Sequence, residues 1–279
     1  MNFLFASTGP IIHVAPGVVL TILGVPISNS ILYGWICIVA LIIILIAVAR
    51  RISIKPKGGL IQFIEIAVTF MANFVESSFE DKKIGKKYVP YFVTIFCFIL
   101  FNNWLGLLPF VGEGFTSNGF PLFRPFTGDL NATFGMAVFT MALVYYASVK
   151  ESGGLKMYLR HFFVGSPKNP LYFLIGVLEM ITDLTRVISL SLRLFLNVAI
   201  GEIVIAVFSY LGHFLAPITA LPFTLIEVFI GALQAYIFAV LGSMYLAVAV
   251  NHAADHLSEP GEEPRPKIKS QARVATGEV

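Results

Sequence analysis

Arg193 stands in the run SLSLRLFLN, residues 189–197, where every neighbour except serine and asparagine is apolar. Asn197 follows one helical turn later and Glu202 a few residues beyond it. Placing an arginine at the centre of a membrane helix costs about 2.5–3.5 kcal/mol on insertion scales. The side chain cannot escape that cost by losing its proton, because its pKa lies above about 12. A charge kept under those terms reads as functional, and the chemistry it suits is that of a fixed positive charge in a proton pathway. Other polar groups gather around it. At about 100° per residue, Glu179 and Arg193 fall within roughly 40° of each other on one helix. Arg186 lies halfway between them, and Asn197 lies one turn beyond Arg193 on the same face. On the following apolar stretch, Glu227, Gln234 and Tyr245 form a second stripe. The simplest packing lets the Gln234 stripe meet the Arg193 stripe.

Each of these residues also has a plain structural role open to it. Arg193 could pair with Glu202 or Glu227. Those two acids could be neutral groups that only hydrogen-bond in the packing. Glu179 and Asp183 could simply pair with Arg186, and Gln234 could bridge helices as an uncharged donor and acceptor. His252, Asp255 and His256 have the helical spacing of metal ligands. They fall at an exposed helix end with no further ligand nearby, so no metal site and no cofactor is expected.

Composition says what must position these groups. Of 279 residues, 57% are hydrophobic and 13% charged. That charge content is about half the roughly 25% of a soluble domain. The expected fold class is an all-α membrane protein with about five membrane-embedded helices. Spans are expected at 31–48, 88–110, 130–149, 170–214 and 224–250. The fourth is longer than one crossing needs at about 1.5 Å per residue, so it must tilt or break. Gly201 is the candidate bend, and Pro217 and Pro222 mark the turn that follows. In 56–80 the polar residues Gln62, Glu65, Thr69, Asn73, Glu76 and Glu80 recur every three or four positions. That pattern describes an amphipathic helix lying in the membrane interface, followed by the basic run Lys82, Lys83, Lys86 and Lys87. Residues 1–30 hold three prolines and are too broken to cross; they are expected to rest on a membrane surface. Residues 1–257 are read as one membrane domain and 258–279 as a polar tail.

Cys37 and Cys97 both fall in apolar runs and read as small core residues. The basic clusters at 50–57, 82–87, 150–168 and 265–273 should share the cytoplasmic side. Five crossings then put the N-terminus outside and the C-terminus inside. The segments expected outside hold one basic residue, Arg124. No cleavable signal is evident, and nothing points to nucleic acid.

These motifs, taken together, resemble one family. SLSLRLFLNVAIGE is similar to the signature helix of subunit a of the rotary F-type ATP synthase. IEVFIGALQAYIFAVLGSMYL, residues 226–246, is similar to that family's last helix. PFTGDLNATFGMA resembles the start of the span before the signature helix, NNWLGLLPF the end of the preceding span, and PKGGLIQFIEIAV the interfacial helix. The likeness runs from about residue 12 to 257, and the order and spacing of the motifs make it specific.

The resemblance implies a non-catalytic stator subunit against which a ring of c subunits turns, with the last two helices long and tilted against that ring. Its further partners would be peripheral-stalk b subunits, the remaining ATP synthase subunits and the lipid bilayer, in a bacterial plasma or inner membrane. Carried over residue by residue, the essential arginine is Arg193. Asn197, Glu202, Glu227 and Asp129 fall in the outer half-channel, and Gln234 faces the arginine. Glu179 is the inner acid, with Asp183 and Ser189 lining the same inner path. Two departures stand out. The family pattern RLFGN reads RLFLN here, with Leu196 for the glycine. Where the family often carries a histidine at the position of either Glu202 or Glu227, this chain has glutamate at both.

Two rivals stay open on the sequence. A self-contained secondary transporter would use Arg193 to bind an anion, but its expected internal repeat is not found. A structural scaffold would use the polar residues for assembly only. Within the preferred reading, the transported ion is either a proton or sodium.

Overall fold

A computed structural model describes residues 17–22, 25–50, 59–108, 111, 116–117, 120–121, 123–151 and 170–255. The protein is an all-α membrane protein; among the described residues it has six α-helices, with two short antiparallel strand pairs in the connections. β1 (Val18–Ile22) and β2 (Val25–Ser28) form a hairpin that leads into α1 (Asn29–Ala49). Ser28 caps α1 by accepting from the Ile31 amide at 3.4 Å. The helix then exposes Trp35, Ile36, Val39, Ile43 and Ile46, a row that water would not tolerate and lipid would.

α2 (Gly59–Ser78) packs Met71 and Val75 into the core and leaves Gln62, Glu65, Thr69 and Asn73 exposed. A tight turn joins it to α3 (Lys82–Gly106). Gly85 of α3 sits so close to the Glu76 backbone that an added Cβ would lie 3.1 Å from its Cα. The basic run forms the first turns of α3. Asp81 caps that helix, its carboxylate accepting from the Lys83 amide at 2.8 Å. β3 (Thr116–Ser117) and β4 (Phe120–Pro121) follow, then a 3₁₀ turn at Phe126–Gly128, then α4 (Leu130–Glu151). Lys87 forms an ion pair with Glu151, and the Tyr88 hydroxyl donates to the same carboxylate at 2.9 Å. These bonds hold the start of α3 beside the end of α4.

α5 (Pro170–Gly212) and α6 (Ala216–Asp255) are 43 and 40 residues long. At about 1.5 Å per residue each is about twice as long as a hydrocarbon core of roughly 30 Å. α5 runs unbroken through Gly201, so the helix does not break there. The chain reverses at a 3₁₀ turn, His213–Leu215, where His213 has φ 45°. Pro217 and Pro222 lie beyond this turn. Pro217 falls in the first turn of α6, where a missing N–H costs nothing, and Pro222 inside the helix.

Three contacts fix α5 and α6 as an antiparallel hairpin. Thr219 Oγ1 donates to the Phe208 carbonyl at 2.9 Å. The Glu227 carboxyl fills the space left by the missing side chain of Gly201. Arg186 lies over the Tyr245 ring at 4.7 Å from its centroid. The core runs between α2, α3, α4, α5 and α6, through Phe92, Ile99, Met141, Leu190, Leu194 and Phe238. Among the described residues four helical stretches are long and apolar enough to cross a membrane: α1, α3, α4 and the hairpin from 181 to 251. Residues 1–16, the connection 152–169 and the tail 258–279 lie outside the described residues.

Candidate functional site

The hairpin contacts put Gln234 at the level of Arg193 to Asn197 along the paired helices. The two residues differ in surroundings. Arg193 is exposed, and its guanidinium donates to Ser189 Oγ at 3.4 Å, one turn back. Among the described residues it has no carboxylate partner. Around it α5 exposes Leu192, Leu196 and Ile200, and α6 exposes Leu225, Phe229 and Leu233. Gln234 is buried at 5% exposure. Its Nε2 has no hydrogen-bond partner, and neither has Asn197 Nδ2. Two buried amides without acceptors beside the arginine are polar capacity left open, which water or a mobile polar group can satisfy.

A polar cluster lies on one side of Arg193 along the hairpin. Glu202 on α5 and Glu227 on α6 are close enough to sense each other's charge. Gly201 makes this possible: any Cβ at 201 would overlap the Glu227 carboxyl. Gly128 borders the other acid at ordinary contact distance: a Cβ there would lie 3.4 Å from Glu202 Oε1. Among the described residues neither carboxyl is held by a hydrogen bond, so neither is spent on packing. Asp129 adjoins this cluster and is buried at 4% exposure. It also caps α4, accepting from the Asn131 amide at 2.9 Å.

On the other side of Arg193 along α5 the described acid, Asp183, is less free. Asp183 is paired with Arg186 at 2.7 Å, and the Tyr245 ring covers that guanidinium. The structural role weighed for Asp183 is thus one it performs. Ser189 is exposed and points its hydroxyl at Arg193. Glu179 lies on α5, but its side chain falls outside the described residues, as do those of His252, Asp255 and His256.

The structure also gives roles to polar residues outside the two stripes. Arg124, read above only as a lone external cation, is buried at 3% exposure, and its Nη2 donates to the Gly128 carbonyl at 3.0 Å. Asn103 donates to the Gly231 carbonyl at 3.0 Å and accepts from Thr127 Oγ1 at 2.9 Å, tying α3 to α6 and to the turn before α4. Trp104 Nε1 donates to the Val228 carbonyl at 3.1 Å. Asn102 and Asn103 did carry a signal as polar residues in a span. Arg124 carried one only through its place just ahead of PFTGD.

The profile of the ATP synthase A chain family matches residues 31–247. That match covers most of the chain, including α5 and most of α6. The chain belongs to this family. It is 33% identical over 242 residues to ATP synthase subunit a of Anaeromyxobacter dehalogenans (strain 2CP-C), which covers 82% of this chain and 59% of that one. It is 31% identical over 229 residues to ATP synthase subunit a of Geobacter sulfurreducens, covering 81% of this chain and 89% of the relative. Subunit a 2 of Prosthecochloris aestuarii matches at 31% over 253 residues, 85% of this chain and 72% of that protein. Against the three Anaeromyxobacter relatives the chain spans 54–59% of their length. Family membership fits what the site offers: a membrane arginine exposed at the junction of two long helices, with acids on either side along them.

Proposed function

We propose that this chain is the non-catalytic stator subunit of a rotary ATP synthase. It carries protons through two offset half-channels to and from a rotating ring of c subunits, and Arg193 separates the two paths. The observation that carries this reading is the setting of Arg193. An exposed guanidinium, with no carboxylate partner among the described residues, stands on an otherwise apolar face of a membrane protein. Lipid would make that arrangement costly. A partner that brings a carboxylate to the face would make it favourable.

The chemistry then follows from elementary electrostatics. A rotor carboxyl facing lipid must be neutral, because an unpaired charge there is expensive. Beside Arg193 the charged form is favoured. Each passage therefore releases a proton on one side and takes one up on the other. Glu202, Glu227, Asn197 and Asp129 line the outer path, with Gln234 beside the arginine. Glu179, Asp183 and Ser189 belong to the inner one. The fixed charge of Arg193 repels a proton that would pass straight between them. A proton crossing releases about 2.3 kcal/mol per 100 mV, and that energy turns the ring.

The partners on this reading are the c-ring, peripheral-stalk b subunits and the rest of the synthase. The membrane is the plasma membrane of a bacterium, with the N-terminus outside and the C-terminus in the cytoplasm. Residues 1–257 act as one membrane domain, with 258–279 as a cytoplasmic tail. The test is Arg193→Lys in vesicles that hold the whole complex. Lysine is a compact charge that can lose its proton in an apolar site. Assembly should persist while ATP-driven proton uptake is lost; normal uptake would refute the proposal.

A further inference from the structure

We propose that Tyr245 is a positioning residue for Arg186: its ring, with the Asp183 carboxylate, holds the second guanidinium of α5 against α6, so that Arg193 alone meets the rotor carboxyl. The inference rests on reading Arg193 as the charge that this carboxyl passes.

α5 carries two arginines on one face. Arg186 and Arg193 are seven residues apart. At about 100° and about 1.5 Å per residue, that puts them within roughly 20° of each other and about 10 Å apart along the axis. The sequence gives them one stripe, and the structure gives them different settings. Arg193 is exposed, and its guanidinium turns back to Ser189 of its own helix. Arg186 is half-buried, and its Nη1 donates to Asp183 Oδ1 at 2.7 Å, three residues back. The same guanidinium stands 4.7 Å from the centroid of the Tyr245 ring on α6. Asp183 is itself buried. An ion pair between neighbours on one helix, with its guanidinium partly open to the surroundings, holds weakly by itself. The aromatic face adds a cation–π attraction. It comes from the other helix, so it also fixes the direction of the side chain, into the seam between α5 and α6.

Charge makes that direction matter. A guanidinium cannot lose its proton at any working pH. A second free one, two turns from Arg193 on the same stripe, would favour the ionised rotor carboxyl at a second place. The carboxyl would then regain its proton later than the path requires. Paired with Asp183, Arg186 brings no net charge. Seated on Tyr245, it stays paired and does not reach for another carboxylate.

The test is a double-mutant cycle in vesicles carrying the whole complex: Tyr245→Leu, Arg186→Gln and the two together, with Tyr245→Phe as the conservative variant. The amount of assembled complex and ATP-driven proton uptake are read for each. Tyr245→Phe keeps a ring face and should keep uptake within about twofold of wild type. Tyr245→Leu frees the guanidinium and should cut uptake about tenfold at normal assembly, the effect of a one-unit displacement of the rotor carboxyl's protonation equilibrium. Arg186→Gln should retain at least about a third of wild-type uptake, because Asp183 without its partner can become neutral by binding a proton. In that background Tyr245→Leu should cost less than about twofold, since no guanidinium is left to release. An equal cost in both backgrounds would make Tyr245 a packing residue. Lost uptake in Arg186→Gln would give that charge a direct role, and wild-type uptake in Tyr245→Leu would show that the guanidinium needs no holding. Each of these three results would overturn the inference. Should leucine prevent assembly, Tyr245→Met, also without a ring, is read in the same way; failure of both to assemble counts as packing and overturns it too. Arg193→Lys runs alongside: normal uptake there refutes the stator reading itself, whatever the Tyr245 variants show.

Discussion

Gly201→Ala separates two roles for one glycine. In an unbroken helix, exchanging glycine for alanine stabilises by about 1 kcal/mol, because alanine has less backbone freedom to lose. If Gly201 served only as a soft point in α5, the variant would be more stable and otherwise unchanged. The structure predicts something else. A Cβ at 201 meets the Glu227 carboxyl. Overpacking costs about 1–3 kcal/mol, and the lower figure applies here, since the obstructing group is the free end of a flexible side chain. The two terms nearly cancel, so stability and assembly should stay close to wild type. The carboxyl, however, has to leave its seat beside Glu202. Misplacing a reacting group by about 1 Å can cost about a hundredfold in rate, so ATP-driven uptake should fall between about ten- and a hundredfold. Combining the change with Glu227→Asp, which shortens the side chain by one methylene, should recover part of the loss. Uptake measured in vesicles alongside the amount of assembled complex reads both effects. Normal uptake in a normally assembled Gly201→Ala complex would show that the seat of Glu227 plays no part in transport.

Two other outcomes follow from the same cluster and its support. Glu227→Gln should slow uptake without abolishing it, because Glu202 remains to carry the proton; complete loss with intact assembly would show that the two acids are not interchangeable. Asn103→Leu removes a donor and an acceptor at once, leaving the Gly231 carbonyl and the Thr127 hydroxyl without their partner. At about 1–3 kcal/mol for a buried polar group left unsatisfied, the melting of the assembled complex should move down measurably, and an unchanged melting curve would contradict the assignment.

How much of this was legible in the sequence depends on the range of the interaction. The all-α membrane class was legible because apolar length is a local property. The two polar stripes were legible because helical period alone puts Glu227 with Gln234, and Arg186 with Arg193. The turn between the long helices was misplaced because proline marks a turn only weakly near a helix start, where its missing N–H is no loss. The actual reversal is set by His213 and by Thr219 reaching back to Phe208. Gly201 shows the same limit. A glycine in a helix looks like a weak point until the opposite helix shows what fills the space. The helix whose span was expected from 88 starts at Lys82, because the Asp81 cap begins it there. Arg124 was read as a surface cation because burial of a loop residue is set by elements distant in sequence, here α1, α3 and α5.

The two departures from the family pattern also take physical form. Leu196, in place of the usual glycine, is exposed on the apolar face beside Arg193. Its bulk therefore meets whatever covers that face and not the core of this chain. Of the two glutamates, Glu227 is accommodated by the missing side chain of Gly201.

The central claim is that Arg193 is the barrier between two proton paths. The most direct measurement is a pair of flux assays on Arg193→Ala in vesicles carrying the whole complex. One assay follows ATP-driven pumping, and the other follows passive proton leak down an imposed gradient after the soluble head is removed. The account predicts lost pumping and an altered leak, with assembly intact. Unchanged pumping together with unchanged leak would mean that the arginine is only structural, and would contradict the account.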